Sequence, residues 1–154
     1  IKLGNTEIQN LSILKKRNAG MSYIPEDRMI DGCAAEASIQ DNMISTTYTT
    51  DKYSGKVFLK SGKIRDVSLK LIKRFSVKTK SEKEKVSSLS GGNIQKVVVA
   101  REWSTRPKLM IAEQPTRGID VGAKYEIYQL IIDLANKGKT VIMVQDERLP
   151  CSFK

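Results

Sequence analysis

The sequence predicts an α/β fold built on a mostly parallel sheet, with a helical insertion in its middle third. Two short apolar runs, Lys108-Leu109-Met110-Ile111-Ala112 and Thr140-Val141-Ile142-Met143-Val144, read as buried strands. Between them Tyr125, Tyr128, Leu130, Ile131, Leu134 and Ala135 recur at helical spacing up to Gly138, a natural stop. Strand, helix and strand in that order give a right-handed crossover and a parallel pairing.

The remaining elements follow in chain order. Ile1-Lys2-Leu3 and Thr6-Glu7-Ile8 flank Gly4-Asn5, which predicts a hairpin on a two-residue turn. Ser12 caps a short helix through Lys15, Lys16 and Arg17 that Gly20 closes, and Met21-Ser22-Tyr23-Ile24 is a strand cut by Pro25. Ser38-Ile39-Gln40-Asp41 is a capping box that opens a helix through Met43 and Ile44. Residues 46–55 are polar and threonine-rich, a surface loop. Ile64, Val67, Leu71, Ile72 and Phe75 place an amphipathic helix over 62–75, and the lysine-rich stretch 78–85 is a connector. From Asn93 another helix carries Ile94, Val97, Val98 and Arg101 on one stripe, with Trp103 near its end. Ser104-Thr105-Arg106-Pro107 terminates it.

Several chemistries are excluded by composition. Histidine is absent, so no His-based triad, base or zinc site exists within these 154 residues. Cys33 and Cys151 lack any motif spacing and imply neither disulfide nor metal, which fits a reducing compartment. No run approaches the ~20 apolar residues of a membrane span, and no signal peptide is visible. The net charge of +10 invites a nucleic-acid reading. Yet Lys52, Lys56, Lys60, Lys63, Lys70, Lys73, Lys78, Lys80, Lys83 and Lys85 lie among acids with few interleaved aromatics. A lysine-rich solvated face is the simpler reading, with no nucleic-acid partner.

The motif at the centre is Ser87-Ser88-Leu89-Ser90-Gly91-Gly92-Asn93-Ile94-Gln95-Lys96. A hydroxyl and two glycine amides at a helix start form a place for an anion such as phosphate. The strand at 108–112 then delivers Glu113-Gln114-Pro115-Thr116-Arg117-Gly118-Ile119-Asp120 to its carboxyl end, where α/β sheets hold ligands. Together these stretches resemble the ATP-binding-cassette (ABC) ATPases: the Leu-Ser-Gly-Gly signature at 89–92, a Walker B strand, and a D-loop ending at Asp120. Leu-Ser-Gly-Gly-Asn-x-Gln-Lys followed by Pro-Thr-Arg-Gly-Ile-Asp-Val-Gly-Ala is similar to the second cassette of bacterial simple-sugar importers (ribose, galactose, xylose type) and their nucleoside-importing relatives. Tyr-Ile-Pro-Glu-Asp-Arg at 23–28 resembles their Q-loop, with Glu26 at the usual glutamine.

The resemblance implies three parts: antiparallel strands and Q-loop region over 1–35, a helical subdomain over 36–88, and the signature, Walker B and D-loop with the following helix and strand over 89–154. It implies ATP and Mg2+ as cofactors. Ser90, Gly91, Gly92, Asn93, Glu26 and Asp120 would contact nucleotide, and Glu113, at the Walker B aspartate, would hold magnesium through water. Its partners would be a second cassette of the same chain packed head to tail, transmembrane permease subunits and, indirectly, a substrate-binding protein, at the cytoplasmic face of a bacterial membrane.

The departures from the family pattern are chemical. No Gly-x-x-x-x-Gly-Lys-Ser/Thr loop occurs, which reads as a cassette lacking its Walker A end. Gln114 occupies the catalytic glutamate position, and an amide cannot take a proton from attacking water. Asp146, within Gln145-Asp146-Glu147, stands at the switch histidine. The expectation is therefore a poor hydrolytic site on this cassette and an inactive chain in isolation. The Glu113-Gln114 pair leans toward the nucleoside branch, and Asp120 to Tyr128 toward the sugar branch. A non-transport ABC ATPase is the alternative of another class, though it would lack the Pro-Glu-Asp-Arg loop. The tail after Pro150 departs from the family.

Overall fold

The computed structural model describes residues 1–55 and 57–146. Lys56, Glu147, Cys151 and the divergent tail lie outside the described residues. A two-stranded antiparallel ribbon comes first, β1 (Lys2–Leu3) and β2 (Thr6–Glu7), paired through the expected turn with Leu3 opposite Thr6. α1 (Ile13–Asn18) starts at Ser12, whose hydroxyl accepts from Lys15 N at 3.5 Å. β3 (Met21–Ile24), β4 (Leu109–Glu113) and β5 (Thr140–Val144) form a three-stranded sheet in the order β3-β4-β5, parallel throughout.

The sheet is covered on one face. Alternation along each strand turns Ser22, Ile24, Met110 and Ala112 inward. They meet α4 (Gly91–Ser104) and α5 (Val121–Asn136). Tyr23, Ile111 and Ile142 lie in register on the opposite face, where Tyr23, Ile142 and Val144 are exposed. α2 (Ile39–Ile44) and α3 (Ser61–Arg74) pack on α4, and their apolar side chains Ile39, Met43, Leu71 and Phe75 join the same core. The capping box at Ser38 forms as expected: its hydroxyl accepts from Asp41 N and donates to the Asp41 carboxylate.

Four expectations need correction. α4 begins at Gly91 rather than Asn93, and it is buried nearly all round from Gly92 to Glu102 rather than along one stripe. Its buried charged members, Lys96, Arg101 and Glu102, survive burial because each is paired. Glu102 accepts from Arg17 Nη1 at 2.8 Å and Arg101 Nε at 2.9 Å, and Arg101 also donates to Gly32 O at 2.7 Å. Stretch 46–55 is turn-rich but not wholly superficial. Tyr53 is buried with Ile44 and Ile64 in a small second cluster. The core face of α5 is Ile127, Tyr128, Ile131 and Leu134, while Tyr125 and Ala135 are exposed. Finally, a π-helical turn over Arg28–Gly32, capped by Asp27, follows Pro25 where no element was expected. The amides of Ile30 and Met29 hold the Asp27 carboxyl below the usual carboxylate range.

Connector 78–85 has more order than its charge suggests. Glu84 accepts from Thr79 Oγ1, Lys80 N and Ser88 Oγ at 2.6, 2.8 and 2.9 Å, which pushes its carboxyl below the ordinary value. Ion pairing between Lys85 and Glu36, at 2.8 Å, closes the loop onto the start of the α2 segment.

Candidate functional site

The signature residues stand at the N-terminus of α4. Ser90 is extended, and the first intrahelical bond runs from Ile94 N to Ser90 O at 2.9 Å. The amides of Gly91, Gly92 and Asn93 precede that ladder and have no intrahelical acceptor. Ser90 occupies the N-cap position, but its side chain accepts no bond from the helix backbone. Instead its Oγ accepts from Asn93 Nδ2 at 2.9 Å, and Asn93 Oδ1 accepts from Lys78 N at 2.8 Å. Asn93 thereby ties the 78–85 connector to the start of α4. The side-chain hydroxyl therefore caps none of the three first-turn amides.

A second helix start lies alongside. Asp120 caps α5, its carboxylate accepting from Ala123 N at 2.9 Å. A Cβ on Gly92 would fall 2.6 Å from the Cβ of Ala123, so only glycine permits this approach. Between the two helix starts opens a cleft of about 260 Å³ lined by Lys78, Ser90, Asn93, Lys96, Asp120 and Glu126. Lys96, almost fully buried, donates to Ser76 O at 3.1 Å and pairs with Glu126. Sequence reasoning missed Lys96 as part of this cleft. The visible signal was a lysine embedded among the buried apolar residues of α4.

Glu26, Gln114 and Asp146 meet in a different place. They line a cleft of about 400 Å³ with Thr116, Arg117 and Gln145, at the carboxyl ends of β4 and β5. Gln114 has φ of 43°, its amide donates to Val144 O at 2.7 Å, and its Oε1 accepts from Asp146 N at 3.3 Å. Glu26 is ion-paired to Arg117. Tyr128 Oη bridges Thr116 Oγ1 and Gln145 Oε1, at 3.0 and 3.1 Å.

Glu113 stands beside this group with its carboxylate engaged. Tyr23, its neighbour on β3, donates to Oε2 at 2.5 Å, and that bond pushes the phenol up to about 12 from an ordinary 10.0. Among the described residues no group of three or more Asp, Glu or Cys side chains is gathered as a metal site. Glu113 therefore fits magnesium only as a single carboxylate acting through water, and only with the Tyr23 bond exchanged for it.

The sequence-expected residues thus fall into two groups: Ser90, Gly92, Asn93 and Asp120 line one cleft, with Gly91 facing Arg28 beside it, and Glu26, Gln114 and Asp146 line another. A family model described as ABC transporter matches residues 1–117. The chain belongs to the ABC transporter family. Among solved structures, it is similar to a dimeric post-hydrolysis state of the ATP-binding cassette MJ0796 bound to ADP and Pi. That likeness has a TM-score of 0.73 at 19% identity, covering 94% of this chain and 61% of that one, and shows the shared cassette fold. Among curated relatives it is 41% identical over 148 residues to the galactose/methyl galactoside import ATP-binding protein MglA of Pasteurella multocida. It is 38% identical over 149 residues to the ribose import ATP-binding protein RbsA of Shouchella clausii. These alignments take in 96% and 94% of this chain but only 29% and 30% of the relatives' lengths.

Proposed function

We propose that this chain supplies the signature half of an ATP site in an importer ATPase for a simple sugar. The observation that carries the proposal is the N-terminus of α4, whose first-turn amides have neither an intrahelical acceptor nor a side-chain cap, beside Lys78, Lys96 and the start of α5. Amides and cations of this kind stabilise phosphoryl oxygens without reorganising. When bound, Mg2+-ATP would supply the scissile phosphoanhydride. Ser90, Gly91, Gly92 and Asn93 would orient it, and Asp120 would hold α5 in place behind them. Glu26 and Glu113 would serve the second, weaker site, where the Gln114 amide cannot take a proton from attacking water. The relatives named as galactose and ribose import proteins support a sugar over a nucleoside.

In this reading residues 36–88 form the helical subdomain, transmembrane permease subunits dock on the neighbouring surface, and the protein works as a peripheral subunit on the cytoplasmic face of the membrane. The test is a pair of substitutions in the full-length ATPase reconstituted with its permease. Gly91→Asp puts a carboxylate at the start of the signature helix, against Arg28, and should abolish ATP hydrolysis and sugar uptake together. Gln114→Glu should change turnover by less than the roughly 10²-fold that a positioned base contributes. Near-normal hydrolysis in Gly91→Asp, or a large gain in Gln114→Glu, would assign the working site to the other cleft.

A further inference from the structure

Arg28 lies between the two clefts. Its Nη1 donates to Arg117 O at 2.8 Å and its Nη2 to Gly118 O at 3.2 Å, bridging from the π-helical turn to the loop that follows β4. The same guanidinium lies against the signature: a Cβ on Gly91 would come within 2.8 Å of Nη2. The stem is held from behind, where Gly32 leaves room at 3.3 Å for the Arg28 Cβ and Arg101 fastens Gly32 O to the body of α4. One side chain therefore joins the start of α4, the 117–118 backbone and the turn containing Glu26.

The electrostatics do not explain this placement. A cation beside a helix N-terminus meets the positive end of the helix dipole, and the bonds it makes here go to neutral carbonyls. Its Nε is buried without a hydrogen-bond partner. What the guanidinium offers is a rigid planar fork that reaches two successive carbonyls at once, which an ammonium cannot reproduce. The feature that is satisfied is geometry.

We infer that Arg28 is a positioning residue, which sets the start of the signature helix against the Gln114–Asp120 loop through its two carbonyl bonds. The inference rests on the functional reading above, since only a signature that must meet phosphate needs its amides held to this tolerance. Misplacement by about 1 Å can lower catalysis by about 10²-fold.

The experiment uses the full-length ATPase with its permease and the variants Arg28→Lys and Arg28→Met, read by steady-state hydrolysis and by hydrogen–deuterium exchange. Both variants should lose about 10- to 100-fold in kcat, with KM for ATP little changed and an unaltered unfolding midpoint. Both should also exchange faster across residues 114–123. Wild-type kcat in Arg28→Met, or its restoration by lysine, would show that the fork has no such role. Unchanged exchange over 114–123 would overturn the inference even if hydrolysis fell. If no form of the protein, wild type included, hydrolyses ATP, the functional reading fails, and the exchange data still decide whether Arg28 holds the loop.

Discussion

At the scale of single residues, the signature glycines have different work. Gly91 leaves room for the tip of the Arg28 side chain, which would have to give up its carbonyl bonds to move aside. Gly92 leaves room for the Cβ of Ala123 at 2.6 Å, a neighbour fixed to a helix. Gly92→Ala must therefore part α4 from α5. It should destabilise the fold by about 1–3 kcal/mol, more than offsetting the roughly 0.5–1 kcal/mol that alanine gains in a helix. Gly62→Ala near the start of α3, where nothing lies within 4 Å, is the control and should be neutral or stabilising. Urea melts of both variants read the difference, and equal midpoints would mean that the α4–α5 approach is looser than described.

Among the elements, α4 organises the rest. It contacts β3, α2, α3, α5 and the π-helical turn. A helix buried on every side cannot be made of apolar residues alone when it must also fix polar loops around it. Its solution is the Arg17–Glu102–Arg101 chain, in which the Glu102 carboxylate is wholly buried and also accepts from Tyr23 N at 3.4 Å. Glu102→Ala would leave the buried Arg101 guanidinium uncompensated, a change worth about 3–5 kcal/mol. The expected result is a lower urea midpoint at constant slope. A loss below about 1 kcal/mol would mean that water or another acid replaces Glu102 without difficulty.

For the molecule as a whole, the candidate site residues line two separate clefts among the described residues. The 154 residues contain no Gly-x-x-x-x-Gly-Lys-Ser/Thr loop, so the lysine and amides that grip β- and γ-phosphates in such loops are not supplied here. In the proposed reading the signature amides would face only one side of a phosphate. Isothermal calorimetry of the 154-residue polypeptide should therefore show no micromolar binding of Mg2+-ATP. A micromolar dissociation constant would require a phosphate cradle elsewhere in these residues.

Local chemistry was legible in the sequence wherever its range is about a turn. The Ser12 cap, the Ser38–Asp41 box, the stripe of α3 and the strands β4 and β5 all depend on neighbours within four residues, and they form as read, except that β5 leaves Ile142 and Val144 exposed where a buried strand was expected. The parallel order follows from connection length and handedness, which the chain also carries. The pairing of distant atoms was decided only by tertiary structure. Tyr23 meets Glu113, Arg28 meets Gly118, and Arg17 meets Glu102 across 90, 90 and 85 residues. No periodicity encodes such partners, because they arise when layers pack and each buried charge or donor must find an acceptor. For the same reason the Ser90 hydroxyl turned to Asn93 instead of the helix backbone. The residues at the site could be named from the chain, but which of them share a cleft depended on how the helices came to rest on the sheet.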